Sequence, residues 1–140
     1  MAGGARRRTV AGMSTTFVVG YDGSSASTDA VRWAAERVRG GGRVVVVHAR
    51  RPGMPIPANA ESRARVRAGL EALWMEEDAL VDAEVELRVA DDAPARALVR
   101  TAREVGAEAI VVGRHHEGPF SADTVRQLLR ETDRPVTVVP

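Results

Sequence analysis

Four short apolar runs punctuate the chain: Phe17–Val19, Val44–Val47, Ile110–Val112 and Val136–Val139. Each is rich in β-branched residues and nearly continuous, the pattern of strands buried on both faces. A fifth run differs. Val85, Leu87 and Val89 alternate with Glu84, Glu86 and Arg88, which predicts an edge strand with one wet face. Between the runs the period changes to that of helices. Val31, Ala34, Ala35 and Val38 fall on one helical stripe, with Ser24 or Ser25 to cap its start and Gly40-Gly41-Gly42 to end it. Val66, Leu70, Leu73 and Trp74 form a second stripe after the breakers Pro52, Pro55 and Pro57. Leu98, Ala102 and Val105 form a third, starting near Pro94 behind Asp91 and Asp92 and stopped by Gly106. A short fourth helix carries Val125, Leu128 and Leu129 and ends before Pro135.

The predicted order is β-α-β-α-β-α-β-α-β. Alternation of this kind implies an α/β domain with a doubly wound, parallel five-stranded sheet, right-handed crossovers and helices on both faces. Ligand sites in such sheets lie beyond the carboxyl ends of the strands. Those ends carry Tyr21-Asp22-Gly23-Ser24, His48-Ala49-Arg50, Ala90-Asp91-Asp92 and Gly113-Arg114-His115-His116.

Composition narrows the chemistry. The 140 residues make one domain, long enough to bury roughly 68–70% of the unfolded surface without a disulfide or metal. There is no cysteine, which excludes disulfides, zinc thiolates and thiol catalysis. Twenty basic residues stand against 19 acidic ones, a net charge of +1, so charge makes no case for nucleic acid. All the basic residues are arginine, so the lysine of a P-loop, of a phosphoreceiver pocket or of a Schiff base is missing. Residues 1–14, with Arg6-Arg7-Arg8, read as a disordered tail ahead of a domain over 15–140; Met13 offers a second start. The apolar run that follows the tail is too short for a signal core or a membrane span, which points to a cytoplasmic protein.

Taken together, the segments Phe17-Val18-Val19-Gly20-Tyr21-Asp22-Gly23-Ser24, Val44-Val45-Val46-Val47-His48-Ala49, Asp92-Ala93-Pro94 through Ala107-Glu108-Ala109-Ile110-Val111-Val112-Gly113, and Arg134-Pro135-Val136-Thr137-Val138-Val139-Pro140 resemble the universal stress protein family, over Thr16 to Pro140. The resemblance implies a Rossmann-like sheet of the adenine nucleotide alpha hydrolase type, in the strand order 3-2-1-4-5. It implies a homodimer in which Val136–Val139 pairs across the interface, relieving an exposed apolar edge. It also implies a binding or regulatory module in the stress response, with protein partners the sequence does not name. Nucleotide-binding members hold ATP or a related adenine nucleotide with Gly-x2-Gly-x9-Gly-Ser/Thr after the fourth strand.

This chain departs from that loop. Gly113 takes the first place, His116 stands in the second, and nine further residues lead to Arg126-Gln127. With the loop shortened by about four residues, Ala122-Asp123 take the glycine-serine places, and a carboxylate at Asp123 repels phosphate. The departures argue against the family's usual mode of ATP binding. What persists is Tyr21 and Asp22 at the ligand edge, Ala49 where the backbone meets adenine, Gly113 for close approach, and Arg114, His115, His116 and Ser121 as alternative phosphate contacts. The alternative function is therefore an adenine-nucleotide (ATP, AMP or cAMP) binding protein with a modified phosphate loop, with slow ATP hydrolysis left open.

Other constellations have simpler accounts. Asp22-Gly23-Ser24 serves a ligand edge or a helix entry equally well. His48, His115 and His116 lack the spacing of a zinc set. Asp91 and Asp92 fit helix N-terminal carboxylates, and Trp33 and Trp74 fit packing. Arg63, Arg65 and Arg67, with Arg50 and Arg51 before them, are balanced by Glu71, Glu76, Glu77 and Asp78 and read as a solvated face. No serine–histidine–acid set or glycine-flanked nucleophile points to an enzyme.

Overall fold

A computed structural model describes residues 15–38, 41–49, 56–76, 83–90, 92–114 and 121–140. Among these residues five strands and four helices alternate: β1 (Thr16–Gly20), α1 (Ser25–Arg37), β2 (Arg43–Ala49), α2 (Ile56–Glu76), β3 (Glu84–Ala90), α3 (Pro94–Val105), β4 (Ala109–Gly113), α4 (Ala122–Glu131) and β5 (Val136–Val139). All strand pairs are parallel and the sheet order is β3-β2-β1-β4-β5, the expected 3-2-1-4-5.

The valine run of β2 shows why the middles of the central strands are apolar. Val44 and Val46 pack with Val19, Tyr21 and Val111 of neighbouring strands against Val31 and Ala34 of α1 and Val66 and Leu70 of α2. Val45 and Val47 point the other way, joining Val18, Ile110 and Val112 against Leu98 and Ala102 of α3 and Leu128 of α4. Side chains alternate across a strand, so a strand covered on both faces is apolar on both sides along its middle, with polar residues left to its ends.

The helix ends follow local chemistry. Ser24 caps α1, its hydroxyl accepting the Ser27 N–H at 3.2 Å. Pro94 opens α3, and Gly106 closes it in the left-handed region at φ 66. Gly42 serves packing: a Cβ there would collide with the Val38 side chain and stand 2.8 Å from the Thr15 carbonyl oxygen.

Three sequence expectations need correction. Pro57 does not precede α2 but occupies its second position, where the N–H that proline lacks has no intrahelical partner to lose. Leu129 leaves the stripe of α4: Leu128 is fully buried, while Leu129 is 62% exposed. The second face of β3 is not simply wet. Val85 and Leu87 pack on the α1/α2 core, and on the opposite face Glu86 accepts from Arg43 and from Arg88, while Arg88 also reaches Glu104 on α3. Trp33 is a packing residue as expected, with its ring 5.7 Å from that of Phe17 and the Arg37 guanidinium 3.7 Å above it. The Trp74 side chain, residues 1–14, Arg50, Arg51, Glu77, Asp78 and Asp91 lie outside the described residues.

Hydrogen bonds from Arg88 and then Arg43 hold the Glu86 carboxyl below the ordinary glutamate range, against the opposing effect of burial. The unfolded chain then takes up this proton at a higher pH than the folded one. The contribution is present above about pH 4.3 and is lost as pH falls through the lower folded value. Glu86→Gln is expected to cost up to about 1 kcal/mol at pH 7, since the pair is partly solvated. In urea titrations the gap between Glu86→Gln and wild type should close as pH is lowered through that window; a gap independent of pH rules the account out.

Candidate functional site

The strand order reverses between β1 and β4, which places a crevice beyond their carboxyl ends. The wall on the β1 side is the turn into α1. Tyr21 extends the ladder by one bond, its N–H donating to the Val47 carbonyl at 3.0 Å. Asp22 then folds its carboxylate back: Oδ1 accepts the Ser24 N–H and the Ser27 hydroxyl, both at 2.9 Å. Gly23 takes φ 87, a conformation that favours glycine. A fully buried Ser27 closes the cage, its oxygen also accepting the Asp22 N–H at 3.3 Å. The sequence left Asp22-Gly23-Ser24 between ligand edge and helix entry. The helix entry is built in full, and Asp22 and Gly23 also face a cavity.

His48 is buried, and its Nδ1 lies 3.3 Å from the Tyr21 carbonyl oxygen, which joins the ends of β1 and β2. Ala49 ends β2, buried and in register with Ala90. Gly113 ends β4 in register with Val139, and the Arg114 N–H donates to the Val139 carbonyl at 3.0 Å. The close approach that Gly113 permits is to the protein itself. A Cβ there would run into the backbone carbonyl of Ala26 in the first turn of α1. Packing thus accounts for this glycine independently of phosphate.

Ser121 precedes α4; its carbonyl accepts the Val125 N–H at 3.0 Å, and its hydroxyl makes no capping bond. Asp123, expected from the sequence to oppose phosphate, lies in the first turn of α4. Its exposed carboxylate is paired with Arg126 at 2.5 Å. Asp92 is paired with Arg100 across the first turns of α3, a structural role. His115 and His116 lie outside the described residues. Among the described residues no cluster of three His, Asp or Glu side chains is arranged to hold a metal. No helix among them is long and apolar enough to cross a membrane.

The structure adds a wall that the sequence did not suggest. A cavity of about 390 Å³ opens between the β1–α1 turn and helix α2, lined by Asp22, Gly23, Arg65, Val66, Ala68 and Gly69. Val66, Leu70 and Leu73 are buried and set the rotation of α2. Residues 65, 68 and 69 then share the adjoining face, as i, i+3 and i+4 positions do. Gly69 lies over the buried Tyr21; a Cβ there would stand 3.2 Å from the tyrosine hydroxyl. Arg65 was read as one member of a solvated arginine face, and nothing in its spacing distinguishes it from Arg63 or Arg67. Ala49, Gly113, Arg114 and Ser121 stand around the same edge without lining this cavity.

A parallel, doubly wound sheet with its crevice at the β1/β4 switch point defines a Rossmann-like α/β domain. Comparison with known proteins narrows the class. The chain belongs to the universal stress protein family, whose model matches residues 13–140. Similar solved structures include a universal stress protein in complex with cAMP, 28% identical over 90% of this chain and 96% of that one, with a TM-score of 0.59. A universal stress protein family member from Burkholderia pseudomallei is 26% identical over 93% and 98% of the two chains, TM-score 0.65. A universal stress protein from Archaeoglobus fulgidus in complex with dAMP is 25% identical over 90% and 98%, TM-score 0.67. No curated protein matches the chain.

Because Gly113 makes room for the Ala26 carbonyl, Gly113→Ala should destabilise the fold by about 1–3 kcal/mol, the usual cost of overpacking. The measurement is the urea midpoint without nucleotide. An unchanged midpoint would return Gly113 to the role of a phosphate-loop glycine.

Proposed function

We propose that this universal stress protein is a binding module for an adenine nucleoside monophosphate, AMP or a cyclic relative, rather than an ATP-binding protein of the glycine-loop type. The observation that carries the reading is the 390 Å³ cavity beside the switch point, walled by Asp22, Gly23 and the small residues Ala68 and Gly69. Its volume is at the small end of the usual range for ligand sites, roughly 300–1,000 Å³, and suits a monophosphate better than a triphosphate. The similar structures that hold cAMP and dAMP support the same ligand class. The chain lacks two of the loop glycines that cradle a polyphosphate, with His116 and Ala122 in their places. The module acts by binding, as a sensor that presents a different surface when occupied, and not by turnover.

Its proposed partner is a second copy of itself. Strand β5 pairs with β4 on one side only, and no described strand covers its other side. Val138 is 43% exposed and belongs, with the exposed Leu129, to the α4 side of the sheet. A short apolar edge of this kind is relieved by strand pairing.

Calorimetric titration with AMP, cAMP and ATP, with and without Mg²⁺, tests the ligand. AMP or cAMP should bind in the micromolar range, about −8 kcal/mol, and ATP no more tightly. Ala68→Leu, which fills the cavity from an exposed helical position, should weaken binding at least about tenfold. ATP binding far more tightly than AMP, or Ala68→Leu without effect, rejects the reading. For the assembly, sedimentation equilibrium should give a dimer for the wild type and a monomer for Val138→Arg. A monomeric wild type at tens of micromolar would end that proposal.

A further inference from the structure

Resting on the monophosphate reading, we infer that the phosphate is bound by Arg65 from helix α2, in place of the backbone amides of the β4–α4 loop. Three features of the fold lead there. First, the chain has no lysine, so any charged side chain that meets a phosphate is an arginine. Second, Arg65 alone among the described arginines lines the cavity with Asp22. Among the described residues it is not tied up elsewhere, unlike Arg43 and Arg88, which are held by Glu86, Arg100 by Asp92, Arg126 by Asp123 and Arg134 by the Ala107 carbonyl. Third, its neighbours make the space. Ala68 and Gly69 share its helical face and carry almost no side chain, so Arg65 is the one long side chain on that wall.

The lining of the cavity carries both an acceptor and a donor. Asp22 is the acceptor, held in place by Ser24 and Ser27. Arg65 is a planar donor matched to phosphate oxygens in a two-point contact. AMP offers both complements, sugar hydroxyls for the carboxylate and a phosphate dianion for the guanidinium; a cyclic relative offers one hydroxyl and a monoanion. Phosphate recognition has thus moved from a glycine-rich backbone cradle to one side chain on a helix. A single guanidinium serves one phosphate well and a chain of three poorly.

The experiment compares AMP with adenosine, which lacks the phosphate, by calorimetry on the full chain. Wild type should prefer AMP by about ten- to hundredfold, the range for a charge-assisted hydrogen bond. Arg65→Ala should bring AMP to within about twofold of adenosine while leaving adenosine affinity and the melting temperature unchanged. Arg114→Ala, at the mouth of the β4–α4 loop, should keep the preference. A preference that survives in Arg65→Ala, or disappears in Arg114→Ala, overturns the assignment. So does a wild type that binds both ligands equally, though it leaves the adenine site standing. Binding of neither ligand by wild type removes the site and the assignment together.

Discussion

The structure depends on one constraint: β1, β2 and β4 have no face that meets water. Val18, Val19, Val44 to Val47 and Ile110 to Val112 are all fully buried. Burying one such side chain is worth roughly 1.5–3 kcal/mol, so no arrangement that leaves one face of the sheet open competes. Helices must cover both sides, and right-handed crossovers can supply them only by winding outward in two directions from β1. That winding creates the switch point, and the switch point creates the crevice. The location of the site is therefore a consequence of two-sided burial, before any residue in it is considered.

The residues around the crevice show how closely stability and the proposed binding role share positions. Asp22 and Ser27 close the turn that starts α1, and Asp22 also faces the cavity. Gly113 lets the first turn of α1 pack on β4, in the place where a binding loop would want its first glycine. His48 ties the ends of β1 and β2 beside them. Such residues answer to the fold first. The wall of the proposed site that is free to change chemistry lies on α2, where Arg65, Ala68 and Gly69 carry little of the core.

Legibility in the sequence followed the strength of the local physical signal. Strand cores and the stripes of α1 and α3 were readable because burial imposes a period on the chain. Helix stops at Gly106 and the start at Pro94 were readable because backbone dihedrals and a missing N–H act locally. Pro57 was misplaced because proline at a helix start and proline before one look alike in sequence. Leu129 was misplaced because a short helix gives its stripe too few turns to separate a core position from its neighbour.

The sequence by itself determined the alternation of elements, the two-sided sheet, the family resemblance, the absence of thiol and lysine chemistry and the departure from the family's glycine pattern after Gly113. Each of these is written in residue type or period. Only the tertiary structure decided that Gly113 faces Ala26, that Asp123 pairs with Arg126, and that Arg65 rather than Arg63 or Arg67 lines the cavity with Asp22. Those three facts rest on which surfaces of separate elements meet. That is set by the rotation of α2 about its buried Val66, Leu70 and Leu73 and by the depth at which α1 seats on the sheet, and neither leaves a mark within a few residues of the positions it governs.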